Sequence, residues 1–119
     1  MEMKKRVILG LTEEVLIIGE NGKEHQVTAR IDTGATSSSI DSAVGKKLQL
    51  GPITTTRIVK SASGVKKRPM IRAKLKLNGD LLEADFTLAD RSHMTYPVLI
   101  GQNILKKGHF LIDPNKGKP

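Results

Sequence analysis

Asp32 has the most suggestive surroundings of any carboxylate in this chain of 119 residues. It ends the run Ala29-Arg30-Ile31 and is followed by Thr33, Gly34, Ala35 and Thr36, so a carboxylate, a hydroxyl and a bare backbone stand together just beyond an apolar strand. A carboxylate so placed is equipped to take or give a proton. The triplet alone decides little. Asp-Thr-Gly arises by chance in about 2 of 100 chains of this length at ordinary residue frequencies, and Asp and Gly are also common turn residues. Other chemistries are narrower still. The chain has no cysteine, which removes disulfides, iron–sulfur clusters, thiolate zinc and cysteine nucleophiles and is compatible with a reducing compartment. His25, His93 and His109 are far apart, and no His-Glu-x-x-His helix is present. Each reads as a surface or loop histidine, and no metal site is expected. The glycine-rich phosphate loop ending in Lys-Ser/Thr is also missing, so no nucleotide cofactor is expected.

The elements that must position Asp32 are short runs of Val, Ile, Leu and Thr punctuated by Gly, Asn and Asp, a pattern of strands and turns with little helix. Asn21-Gly22 predicts a two-residue type I′ turn, with positive φ at both residues, leading into a strand over 24–31. Residues 41–48 suit one short helix capped by Asp41, weakened by Gly45. A strand over 54–60 runs to a small polar bend at Ser61-Ala62-Ser63-Gly64. Asn78-Gly79 sets the clearest register: Leu77 faces Asp80, Leu75 faces Leu82, Lys74 faces Glu83, Ala73 faces Ala84, Arg72 faces Asp85 and Ile71 faces Phe86. That register gathers the apolar side chains on one face and leaves two cross-strand ion pairs, Arg72–Asp85 and Lys74–Glu83, on the other. After a loop over 89–96 come the apolar residues 97–100, one or two helical turns over 101–108 closed by Gly108, and a last strand over 110–112. The tail from Asp113 is expected to fray. Length and the absence of an internal repeat or linker imply a single domain over 1–119. No signal-peptide core or membrane span is visible, so a cytoplasmic location is expected.

A second segment changes the weight of Asp32. Val98-Leu99-Ile100-Gly101-Gln102-Asn103-Ile104-Leu105 is a strand ending on glycine and entering a short helix. Together the two segments resemble the retropepsin-like aspartic peptidases, which pair an apolar-Asp-Thr-Gly-Ala segment with a later Ile-Gly-x-Asn-Ile/Leu-Leu segment. Arg68-Pro69, the run from Leu88 to Met94, and Tyr96-Pro97-Val98-Leu99-Ile100-Gly101 are similar to a prokaryotic branch of that group. That branch is also labelled ATP-dependent zinc protease and is associated with enzymes that ligate glutamate to ribosomal protein tails. The resemblance covers roughly residues 5 to 114.

It implies a closed all-β barrel with one short helix near the C-terminus, homodimeric, with Asp32 on the floor of a cleft shared by two identical subunits. Peptide hydrolysis of this kind needs two carboxylates sharing one proton; this chain offers one Asp-Thr-Gly, so the second comes from a partner copy. By the same resemblance Asp32 is catalytic, Thr33 ties the two active-site loops together, Gly34 admits backbone close to the dyad, and Ala35, Gly101 and Asn103 support the site. Thr36, Ser37, Ser38 and Ser39 are candidates to line the cleft. There is one departure: retroviral members carry Asp at the position of Thr36 and Arg at that of Gln102. Both partners are neutral here, so no single charge is left unpaired, and any brace between these segments is a neutral hydrogen bond. The zinc label finds no ligand pattern to support it.

The formal charge of +8 is localised. Between Arg57 and Lys76 lie eight basic residues and no acidic one, while the other 99 residues carry 12 of each. In the retropepsin-like reading this is the flap, with Ser61, Ala62, Ser63 and Gly64 at its tip and Lys66, Lys67 and Arg68 available to a substrate. With Arg72 and Lys74 paired, Arg57, Lys60, Lys66, Lys67, Arg68 and Lys76 stay uncompensated and are expected to recruit acidic peptide, such as a glutamate-rich tail. Two other functions compete: a catalytically silent module that binds acidic segments, and a basic domain binding nucleic acid. The latter is disfavoured because the basic stretch contains no aromatic residue on which bases could stack.

Overall fold

The structure is a computed structural model, and it describes residues 6–62 and 64–117. The aliphatic runs become strands β1 (Ile8–Leu9), β2 (Thr12–Ile18), β3 (Glu24–Ile31), β4 (Ser38–Asp41), β5 (Ile53–Ser61), β6 (Gly64–Leu77), β7 (Asp80–Ala89), β8 (Val98–Ile100) and β9 (Leu111–Ile112). Two six-residue helices join them. Helix α2 (Gln102–Lys107) lies near the C-terminus, and α1 (Ser42–Lys47) is the segment capped by Asp41, whose Oδ2 accepts the Val44 N–H at 3.3 Å.

Strands run in the order β2-β3-β8-β4-β7-β6, and β6 pairs back onto β2 to close a six-stranded barrel. Closure removes the open edges that would otherwise offer unpaired backbone. Along each strand alternate side chains point inward. The core is therefore Val15 and Ile17, Ala29 and Ile31, Ile71, Ala73, Leu75 and Leu77, Ala84 and Phe86, Val98 and Ile100, with Ile104 of α2 packed on it. Each large aliphatic or aromatic side chain buried this way contributes about 1.5–3 kcal/mol. Outside the barrel, β5 and the first half of β6 form a projecting hairpin, the segment expected as the flap and called so below, and β1 lies parallel to β9 as a separate two-stranded sheet. The chain beyond β9 folds back, with the Asp113 N–H on the Leu9 carbonyl at 2.8 Å and Lys116 Nζ 2.9 Å from Glu13.

The β6–β7 register is the expected one from Ile71↔Phe86 to Leu77↔Asp80, turning through Asn78 (φ 52°) and Gly79 (φ 88°). Its ion pairs differ from expectation. Arg72 reaches both Asp85 at 3.2 Å and Glu83 at 3.4 Å, so Glu83 is taken diagonally and Lys74 does not pair with it. A guanidinium fork can serve two carboxylates where the single ammonium of Lys74 serves one. Lys76, expected to be uncompensated, pairs with Glu24, because barrel closure brings β6 beside β2 and β3. The Asn21-Gly22 turn also differs. Only Gly22 has positive φ, and the Gly19 N–H bonds the Lys23 carbonyl around a three-residue loop. This is a turn followed by one left-handed residue, the next most common hairpin connection after the two-residue turns.

Candidate active site

Asp32 is where the β3–β8 ladder runs out. The parallel pairing Ala29↔Val98 to Ile31↔Ile100 is extended by one more bond, from the Asp32 N–H to the Ile100 carbonyl at 2.9 Å. The chain then turns on its own side chain: Asp32 Oδ1 accepts the Gly34 N–H at 2.9 Å, and the Asp32 carbonyl accepts the Ala35 N–H at 3.3 Å. No other donor among the described residues reaches the carboxylate. Thr33 and Gly34 are exposed, and Asp32 and Ala35 are half-buried.

Helix α2 holds this loop from behind. The first N–H groups of a helix have no partner within it, and here the loop supplies two carbonyls: Gln102 N–H donates to Ala35 at 2.7 Å and Asn103 N–H to Thr36 at 3.2 Å. Gly101 occurs at the joint because a side chain would not fit; a Cβ there would stand 2.1 Å from the Ser37 carbonyl oxygen and 2.8 Å from that of Ala35. Its N–H donates to Ser38 Oγ at 2.9 Å, and Ser38 Oγ donates in turn to Asn103 Oδ1 at 2.7 Å. Asn103 Nδ2 completes the chain on the Asp85 carbonyl at 3.0 Å. The neutral brace expected of Gln102 exists, but it runs from Nε2 to the Thr33 carbonyl at 2.8 Å rather than to the Thr36 side chain.

An open cleft of about 450 Å³ lies between the far side of this loop and the flap, and Asp32, Thr33 and Gly34 do not line it. Ala35, Thr36, Ser37 and Ser39 line it from the loop and β4, Arg57, Ile58, Lys60 and Arg68 from β5 and β6, and Thr87, Arg91 and Leu99 complete the lining. Ser38 is not on this wall. It is fully buried at the joint with α2, because β4 turns it inward. Arg57 Nη1 donates to Ser37 Oγ, a direct bond from the β5–β6 hairpin to the loop that follows Asp32. At the flap tip Ser61 pairs with Gly64, Ala62 is exposed, and Ser63 lies outside the described residues. Lys66 and Lys67 are exposed on β6 and do not line the cleft.

Sequence reasoning missed Arg91. It lies in the loop after β7, and only the packing of that loop under Ser39 and Asp41 brings it to the cleft. Burial is the largest influence on its guanidinium and pushes the pKa below the ordinary value; Asp41 opposes this, and Arg30 and Arg68 add to it.

The description "retropepsin-like aspartic endopeptidase RimB" belongs to the RimB-like family, which matches residues 41–118. The chain belongs to this family. The RimB-like match starts beyond Asp32-Thr33-Gly34, so the case for those three rests on the loop geometry above. No curated protein sequence matches significantly. Among solved structures, the chain is similar to Lpg0085 of Legionella pneumophila, a protein of unknown function, with a TM-score of 0.65 and 22% identity over 92% of this chain and 95% of that one. It is also similar to the EIAV protease solved with an inhibitor (TM-score 0.62, 21% identity, 90% and 91% covered). The simian foamy virus protease matches as well (TM-score 0.60, 19% identity, 80% and 91% covered). These likenesses give the RimB-like chain a retropepsin fold. Among the described residues no helix is long and apolar enough to cross a membrane.

Proposed function

We propose that this chain is an aspartic endopeptidase of the cytoplasm whose catalytic dyad is Asp32 and Asp32 of a second copy. The observation that carries the reading is the Asp32 loop itself: a half-exposed carboxylate at a strand end, braced by Gly34, Gly101 and Gln102, beside an open cleft under a flap. One such carboxylate is half of what the reaction needs.

Several features support a partner at this end of the barrel. Thr33 is exposed, and its hydroxyl makes no hydrogen bond among the described residues. Ile8, Leu11 and Leu111 are exposed apolar side chains on or next to the β1/β9 sheet. Leu11 is adjacent to the loop, its carbonyl accepting the Ile31 N–H at 2.9 Å.

In the assembled dyad one carboxylate removes a proton from water as the oxygen attacks the scissile carbonyl carbon, and the protonated carboxylate donates to the carbonyl oxygen. Collapse of the tetrahedral adduct breaks the C–N bond, with a proton delivered to the departing amine, and leaves an acid and an amine. No covalent enzyme intermediate forms. The two titrations belong to the pair, not to either chain. The cations of the cleft favour acidic peptide, including glutamate-rich tails, by attraction that salt weakens.

The test is Asp32→Asn, read by peptide cleavage in mass spectrometry and by sedimentation. Loss of cleavage with the dimer retained is the expected result. Cleavage that survives the substitution sinks the mechanism, and acidic peptide bound but never cut by the unsubstituted protein leaves a binding module.

A further inference from the structure

Among the described residues, four cations line the cleft, Arg57, Lys60, Arg68 and Arg91, and no acidic side chain does. Three of them stand on the flap strands β5 and β6. Arg91 differs, because it is held by the barrel side. Its Nε donates to the Tyr96 carbonyl at 3.1 Å and its Nη1 to Ser39 Oγ at 3.2 Å. Both acceptors are uncharged. Asp41, the carboxylate closest at hand, spends Oδ1 on the backbone N–H of Arg91 at 2.8 Å and Oδ2 on the cap of α1, and no carboxylate oxygen lies within ion-pair distance of the Arg91 guanidinium among the described residues. The group is thus aimed and half-buried with no direct ion pair; Asp41 acts on it through space, against Arg30 and Arg68.

A guanidinium has five N–H donors in a planar fork. Two of those on Arg91 are used, so three are left for a ligand. Planar, bidentate pairing is the arrangement in which arginine and a carboxylate fit best. Arg57 is already engaged with Ser37, and Lys60 is an exposed point charge.

We infer that Arg91 is the specificity-determining residue of the cleft, pairing bidentately with one carboxylate side chain of a bound peptide, with Arg68 beside it. The inference rests on the peptidase reading only for calling that peptide a substrate. Because Arg91 lines the cleft and Asp32 does not, the carboxylate that Arg91 reads lies at one position to the side of the scissile bond. Exposed flap cations act on the rest of the peptide diffusely.

The experiment uses peptides that differ by Glu or Gln at a single position, scanned along an otherwise fixed sequence. Affinity is measured on Asp32→Asn protein and cleavage on the unsubstituted protein. At one position Glu should bind about tenfold tighter than Gln, the size expected of a charge-assisted bidentate pair. Arg91→Gln should bring that ratio close to one, and Arg91→Lys, which keeps the charge but not the fork, should fall between. A ratio that Arg91→Gln leaves intact overturns the proposal.

Should Arg91→Gln fail to fold, the Arg91 Nε–H resonance of the unsubstituted protein decides. A shift on adding the Glu peptide but not the Gln peptide supports the assignment, and equal responses overturn it. Preference for Glu without any cleavage defeats the peptidase reading and leaves Arg91 standing. Cleavage with no Glu preference at any position does the reverse. A single-stranded oligonucleotide that displaces the Glu peptide at equal concentration overturns the inference and reassigns the cleft to phosphate.

Discussion

Ser38 Oγ lies 2.7 Å from Asn103 Oδ1, and this one buried hydroxyl joins two segments 65 residues apart in sequence. It accepts from Gly101 N–H as it donates to Asn103, so it adds a buried side-chain link to the bonds by which Gln102 and Asn103 already hold the Asp32 loop against the helix. Asn103→Ala removes the acceptor for Ser38 and the donor to the Asp85 carbonyl. A buried partner left unsatisfied costs about 1–3 kcal/mol. The urea midpoint should fall accordingly with the m-value unchanged, and the double variant with Ser38→Ala should cost less than the sum of the two single changes.

Gly101→Ala should be the most damaging conservative change in this region. Its Cβ would collide with the backbone carbonyls of Ser37 and Ala35, which cannot rotate away as a side chain would. Overpacking of this kind costs about 1–3 kcal/mol or more. Gly34→Ala meets only Asp32 Oδ1, at 3.3 Å, so it should lower peptide cleavage more than it lowers the melting temperature. Thermal melts alongside cleavage assays separate the two effects.

The proposed sharing of one dyad between two copies predicts activity that depends on protein concentration. Cleavage per chain should rise with dilution reversed, reaching a plateau once the dimer is saturated. Mixing unsubstituted protein with excess Asp32→Asn should suppress cleavage, because mixed pairs carry one carboxylate. A specific activity that stays flat across the range where sedimentation finds monomer would contradict the shared dyad.

Raising salt from about 0.05 to 0.5 M shortens the reach of exposed charges to a few ångströms. The apparent second-order rate for acidic peptides should fall over that range, and the rate for neutral peptides should stay nearly level. The residual preference at high salt measures the close contacts of the half-buried Arg91 rather than the exposed Lys66 and Lys67.

Glu14 accepts from the Thr28 hydroxyl and from Gln26 Nε2, the first bond being the larger cause of a carboxyl pKa below its ordinary value. A lowered value in the folded state stabilises the β2–β3 pair above the usual glutamate range near about 4.3, and the benefit is lost as pH falls through the lowered value. The stability difference between the unsubstituted protein and Glu14→Gln should therefore shrink between neutral pH and pH about 3, measured by urea midpoints.

The barrel strands and the β6–β7 register were readable because period-two alternation and Asn78-Gly79 agree, and both are local signals. The joint between the Asp32 loop and α2 was readable as a pair of motifs, but not as a hydrogen-bond chain. Ser38 looks like its neighbours Ser37 and Ser39 until β4 turns it inward. Lys76 and Arg91 were misplaced or missed for the same reason. Glu24 meets Lys76 only after the barrel closes, and Arg91 reaches the cleft only once Asp41 and Ser39 have fixed its loop. Contacts of that kind depend on where strands distant in sequence come to lie, which no window of residues encodes.

Strand β6 has a part in two bodies at once. Residues 64–69 pair only with β5, and residues 72–77 are clamped by β7 and, from Lys74 on, by β2. No loop divides them. Between them lie Met70 and Ile71, just after Pro69, which donates nothing to the ladder, and opposite the slip in β5 register between Ile53 and Thr55. The hairpin is therefore a cantilever rooted in the barrel wall at Met70 and Ile71. Its footing is set by core side chains outside the cleft, so a change such as Ile71→Val would loosen the hairpin by altering the clamp at its root.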